Sequence, residues 1–120
     1  MINHSAEELC QVVVGGLQEL KGEDICIIDL REVKNAFTDY FVIASGNSDT
    51  HNDSLAESVE KEVHNKFKLH PTTREGKTVK EWILLDFTDV VVHVFKKEKR
   101  EVKLNDLLKL SRGGPVSQRV

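Results

Sequence analysis

Cysteine, proline and tryptophan are scarce in this chain, at two, two and one among 120 residues. Cys10 and Cys26 could pair in principle. The N-terminus, MINHSAEELC, however, shows neither the basic n-region nor the apolar h-region of a secretory signal. The expectation is therefore two reduced thiols in a cytoplasmic protein. No Cys-x-x-Cys or His-x-x-x-His spacing occurs, so no zinc site can be named. His51 and His64 lie too far apart to share one helical turn, and His70 and His93 belong to separate segments. No apolar run approaches the roughly 18 residues that a membrane span requires. No Asp-x-Asp occurs either, and that absence bears on catalysis.

What is present is the composition of an ordinary folded domain, with 39% hydrophobic and 31% charged residues. Residues 1–110 read as one domain, and 111–120, with Gly113-Gly114-Pro115, as a disordered tail. The net charge of −3 is unevenly placed. Residues 96–120 hold eight Lys/Arg and three Asp/Glu, a balance of +5, against nine and seventeen, or −8, over residues 1–95. An acidic body repels a phosphate backbone, so little direct nucleic-acid binding is expected, except through the basic C-terminal segment.

Ser5 and Glu8 form a capping box that starts a helix near Ala6, with Leu9, Val13, Leu17 and Leu20 as its apolar stripe. Gly15-Gly16 within it points to close packing, and Gly22 suits a left-handed residue beyond the last turn. Residues 24–30, DICIIDL, and 39–45, DYFVIAS, read as strands, joined by the polar, turn-like REVKNAFTD. Ser48 caps a helix over residues 49–67 with Leu55, Val59, Val63 and Phe67 on its inner face, and Pro71 prevents its continuation. Trp82–Phe87 and Val90–Phe95 follow as strands of an antiparallel hairpin. Thr88 fits the intervening turn poorly, which suggests a longer loop or a bulge. A final helix is expected over residues 97–110, with Val102, Leu107 and Leu108 as core contacts. The order predicts an α+β, or mixed α/β, domain with helices packed on a central mixed sheet.

The strand–Gly46-Asn47-Ser48–helix junction is the natural place for enzyme chemistry, because a helix N-terminus offers free N–H groups to phosphate. A nucleotidyltransferase also requires paired carboxylates for its metal ions. Asp49 and Asp53 stand four apart on a helix, where they can simply favour its N-terminus, and Asp89 falls in the hairpin turn. A metal-dependent nucleotidyltransferase-like enzyme is thus an alternative without its acids. WILLDFTDVVVHVF carries the other candidate: two apolar strands, one face of which must be covered by a helix or a partner. Trp82 fits an interface anchor and a core residue equally well. A homodimerisation module that pairs this face with itself is a further alternative.

Together, TDYFVIASGNS, the run from EGK to EWILLDFTDVVVHVF, and KREVKLNDLL resemble the iojap-like family, the ribosomal silencing factors, over about residues 6–110. The resemblance implies a nucleotidyltransferase-like topology lacking the catalytic acids, with no enzyme activity, cofactor or metal. It implies binding to large-subunit ribosomal protein fourteen, a steric block to small-subunit docking, lowered translation under nutrient limitation, and in some members a homodimer. Carried over by position, the partner contact would involve Trp82, Ile83, Leu84, Leu85, Val92 and His93. It also implies that Trp82→Glu would abolish ribosome binding and leave the fold intact. Two features depart from the family. Thr88 stands where glycine is usual, and Val102-Lys103 and the Leu107-Leu108-Lys109 end replace aromatic positions of the last helix, so no contact is carried over there.

Overall fold

The computed structural model describes residues 4–76, 81–100 and, as backbone alone, 116–119. Its first helix, α1 (Ala6–Glu19), begins as the capping box requires. The Ser5 hydroxyl accepts from the Glu8 amide at 3.1 Å and the Glu8 carboxylate accepts from the Ser5 amide at 3.2 Å. Leu9, Val13 and Leu17 are buried, whereas Leu20, beyond the last turn, is 38% exposed. The helix closes in a Schellman arrangement, with Gly22 N–H donating to Leu17 O at 2.8 Å and Lys21 N–H to Gln18 O at 3.0 Å. The left-handed residue is Lys21, at φ 59°, not Gly22 as the sequence suggests. Gly22 is required for space instead: a Cβ there would lie 3.1 Å from Leu17 O and 3.3 Å from Leu55 Cδ2.

Strands β1 (Glu23–Asp29) and β2 (Tyr40–Gly46) run antiparallel, with a bulge in β1 between Glu23 and Cys26. Helix α2 (Asp49–Phe67) is capped by Ser48, whose hydroxyl accepts from His51 N–H at 3.0 Å. Its expected stripe of Leu55, Val59, Val63 and Phe67 is buried. The short β3 (Thr73–Glu75) precedes the hairpin of β4 (Trp82–Asp86) and β5 (Val90–Lys96). With a last strand, β6 (Val116–Arg119), the sheet order is β3-β4-β5-β2-β1-β6, with β2 and β5 parallel and the remaining pairs antiparallel. The expected mixed sheet is therefore present.

Strand β6 (Val116–Arg119) pairs with the outer edge of β1, so these four residues depart from the expected disordered tail. The edge of β1 explains the difference, because its free backbone N–H and C=O groups gain a ladder there. A 3₁₀ turn occupies Lys97–Lys99 at the start of the expected last helix; its predicted contacts Val102, Leu107 and Leu108 lie outside the described residues.

β4 ends at Asp86, so Phe87, Thr88 and Asp89 join the strands where two residues were expected, in line with a longer loop, and the strain falls on Thr88, at φ 78°. Asp89 N–H donates to Phe87 O at 3.0 Å across it, a γ-turn of the uncommon positive-φ kind. Asp86 supports the turn by accepting from Thr88 N–H at 2.8 Å.

Both helices cover one face of the sheet. Ile25 and Ile27, Tyr40, Val42 and Ala44, Ile83 and Leu85, and Val90, Val92 and Val94 point to that side and pack with the two helical stripes in one cluster. The helices meet at Gly16, where a Cβ would stand 3.0 Å from Val59 Cα, and the Ser58 hydroxyl donates to Gly16 O at 2.7 Å. Gly15 has nothing within 4 Å, so only one glycine of the pair serves the contact. The opposite face carries a second cluster, Cys26, Ile28, Leu30, Phe41, Ile43, Val91 and Phe95, with Val33, Trp82 and Leu84 packed against it.

Candidate functional site

Strand alternation divides the six sequence-predicted contact residues into two sets. Ile83, Leu85 and Val92 face the helices and are completely buried in the main core. They cannot present side chains to a partner, which corrects half of the expected set. Trp82, Leu84 and His93 share the other face, where Trp82 pairs across the hairpin with Phe95 and Leu84 with His93. Trp82 and Leu84 are half-buried, and His93 is only 1% exposed.

His93 organises this face. Its Nδ1 accepts from Trp82 Nε1–H at 2.9 Å, which places the ring proton on Nε2. The Nε2 atom is buried and has no hydrogen-bond partner among the described residues. Burial pushes the imidazole down to about 3, so it is neutral at physiological pH. The Phe41 ring meets it edge-on at 4.7 Å, and Trp82 and Phe95 lie 5.8 and 6.0 Å away, centroid to centroid. Trp82 thus contributes to folding as well as to any partner contact. Trp82→Glu would strand the buried Nδ1 acceptor, so an intact fold in that variant is not expected.

Arg100 is tied to the same face. Its guanidinium donates to Ser45 Oγ at 2.7 Å and to Glu23 O at 3.5 Å, and approaches Cys26 Sγ at 3.7 Å. Cys10 and Cys26 are both buried, and Cys10 is a free thiol. Burial, helped by Glu7, pushes the Cys10 thiol up to about 12, far from nucleophilic.

The Gly46-Asn47-Ser48 turn is occupied by the chain itself. Asn47 N–H donates to His51 Nδ1 at 2.9 Å, while His51 Nε2 contacts Leu20 O at 2.8 Å, linking the turn to the end of α1. Ser48 takes the His51 amide, and the buried Asn52 side chain fills the space a Cβ on Gly46 would need. The nearby acids form ion pairs: Asp49 with Lys96 at 3.5 Å and Asp53 with Arg74 at 2.8 Å. Arg74 also holds Glu60 at 2.9 Å. Three amides at this end, those of Asn47, His51 and Asn52, are therefore given to internal acceptors. Among the described residues, no three His, Cys, Asp or Glu side chains are grouped as metal ligands.

Two features were not anticipated from the sequence. Arg31 clamps Asp29, reaches Glu7 at 3.0 Å and lies 5.2 Å over the Tyr40 ring, whose hydroxyl donates to Glu7 at 2.9 Å. The hydrogen bond from Tyr40 holds Glu7 below the usual carboxylate range, and Arg31 does the same for Asp29. This cluster ties α1 to β1 and β2. The second feature is Phe37, 71% exposed in an otherwise polar loop and 6.2 Å from the Phe41 ring. A lone aromatic in REVKNAFTD was the available signal.

The architecture defines a class: an α+β domain whose mixed sheet carries two helices on one face and an aromatic, histidine-centred surface on the other. Residues 3–111 match the family model described as ribosomal silencing factor during starvation, and the chain belongs to that family. It is 31% identical over 96 residues to the ribosomal silencing factor of Halalkalibacterium halodurans, covering 80% of each chain. A mouse protein named for mitochondrial assembly of the ribosomal large subunit is 34% identical over 92 residues, covering 75% of this chain and 40% of its own. A crystal structure from Chromobacterium violaceum superposes with a TM-score of 0.79 at 27% identity, covering 92% of this chain and 89% of the other.

Proposed function

We propose that this protein is a non-catalytic translational repressor. It binds the large ribosomal subunit at ribosomal protein fourteen and sterically blocks association with the small subunit when nutrients are limiting. Family membership supports ribosomal silencing as its task. The observation that favours a protein contact is the half-buried Trp82–Leu84 surface, held by His93 on the face opposite both helices. Occlusion of this kind needs affinity and bulk, with neither turnover nor cofactor. The self-occupied turn after β2 and its ion-paired acids support the same reading. The acidic balance over residues 1–95 suits a basic ribosomal protein better than ribosomal RNA. Its place of action would be the bacterial cytoplasm.

The test is a subunit-joining assay. Large subunits preincubated with the protein should form fewer joined ribosomes when small subunits are added, in proportion to occupancy. Unimpaired joining at saturating occupancy would refute steric blocking even if binding occurs.

A further inference from the structure

Phe37 sits in a loop built to hold its shape. Leu30 N–H donates to Asp39 O at 2.8 Å and closes the segment, while Val33 N–H to Leu30 O and Ala36 N–H to Val33 O brace its interior. Asp39 and Tyr40 N–H groups both donate to Asp89 O, at 3.0 and 3.1 Å, which fastens the loop to the β4–β5 turn. Compact loops with joined ends often carry binding functions. Here the fixed frame presents an aromatic ring to solvent with 71% of the residue exposed.

The ring is continuous with the surface described above. Phe37 lies 6.2 Å from Phe41, Phe41 lies 4.7 Å from His93, and His93 lies 5.8 Å from Trp82. Phe37 and Trp82 are therefore the two outer ends of one row of rings. Each step is short enough for both ends to fall within the ~800 Å² that one partner contributes to a standard interface. Carboxylates flank the Phe37 end: Asp39, two residues on, is partly exposed, and Asp89, whose backbone oxygen accepts from Asp39 N–H, is exposed. Glu32 and Lys34 in the same loop offset each other, and Arg31 is engaged by Asp29 and Glu7, so the rim is acidic.

We infer that Phe37 is a second anchor of the ribosomal-protein contact, seated in an apolar recess on a basic partner surface, with Asp39 and Asp89 forming the rim. This inference rests on the proposed function and extends its site to a loop outside the hairpin. An aromatic anchor at one end and Trp82 at the other would fix the orientation of the domain on its partner as well as its affinity.

The test compares wild type, Phe37→Ala, Phe37→Tyr and Asp89→Lys for binding to isolated large subunits and to purified large-subunit ribosomal protein fourteen. Thermal unfolding and sedimentation velocity are run on each variant. Phe37→Ala should weaken both interactions ~10-fold or more without moving the unfolding midpoint, and Phe37→Tyr should retain them. Asp89→Lys should weaken binding chiefly at low salt. Wild-type affinity in Phe37→Ala would overturn the inference and leave the proposed function standing. So would a lowered midpoint with unchanged affinity, which would assign the ring to folding. Conversion of a dimer to a monomer by Phe37→Ala would give the ring to a second copy of the chain, and also overturn it. Failure of wild type to bind would remove both the proposed function and the inference.

Discussion

On the helix-covered face, β2 presents Tyr40, Val42 and Ala44, and β5 presents Val90, Val92 and Val94, side chains with little hydrogen bonding to satisfy. The same strands turn Phe41, Ile43 and Ser45, and Val91, His93 and Phe95, to the opposite side. There Ser45 is bonded by Arg100 and His93 by Trp82, so polar groups are inserted among rings and must be matched one by one. The first face is largely aliphatic, Tyr40 with its bond to Glu7 apart, and depends on packing volume. The second depends on particular partners and carries the half-buried Trp82 and Leu84. A small domain can thus rest one side of its sheet on packing volume and combine matched polar bonds with a half-buried surface on the other.

Truncations on the two faces should therefore differ in size. Ile83→Ala is expected to cost about 2–5 kcal/mol, because it empties a completely buried site between sheet and helices. Leu84→Ala, one residue along and half-buried, should cost only about 1 kcal/mol while weakening large-subunit binding. Urea unfolding of both variants measures the contrast. Equal losses would erase the distinction between the faces.

Acid should act through the second face. Neutral His93 has its folded value near 3, against an ordinary value of 6.5. Between those limits the unfolded chain binds the extra proton, so stability is complete above pH 6.5 and declines as pH falls toward 3. The contribution is at most about 1.4 kcal/mol per pH unit. Urea midpoints at pH 7, 6 and 5 should fall more steeply for wild type than for His93→Gln. Parallel slopes would mean that His93 accepts a proton in the folded protein.

The helix pair allows a test of sign on the first face. Gly16→Ala should destabilise by about 1–3 kcal/mol, since its methyl meets the Val59 backbone. Gly15→Ala, with open space around it, should stabilise by about 0.5–1 kcal/mol through helix propensity. Thermal unfolding of the two variants would expose an error in the α1–α2 contact if the order were reversed.

The smallest effect belongs to the hairpin that joins the two faces' chemistry. Thr88→Gly should stabilise by somewhat under 1 kcal/mol, because a β-branched residue is held at φ 78°. An unchanged unfolding midpoint would show that Thr88 carries no net strain at this φ.

Much of this fold is legible in the sequence because its signals are local. Ser5 with Glu8, and Ser48 before a regular stripe, mark helix starts within a turn, and the runs of Ile and Val mark strands. Gly22 misled because a glycine after a helix can be required by crowding while its neighbour, Lys21, takes the left-handed conformation. The site was half legible. Alternation guarantees that only some of the residues from Trp82 to Leu85 share a face, but choosing the face requires knowing where both helices dock. The Trp82–His93 bond depends on strand register, and Phe37 on a loop whose shape is set by backbone bonds to Asp89. Neither is written in residue types. The edge pairing of Val116–Arg119 is likewise a property of β1 and its free backbone groups.

The most direct test of the central claim is co-sedimentation of the purified protein with isolated large and small ribosomal subunits at low and high salt. Selective pelleting with large subunits is expected and should survive the higher salt, as a contact anchored by apolar side chains does. Pelleting with neither subunit, or with both in proportion to their RNA and lost at high salt, would contradict it.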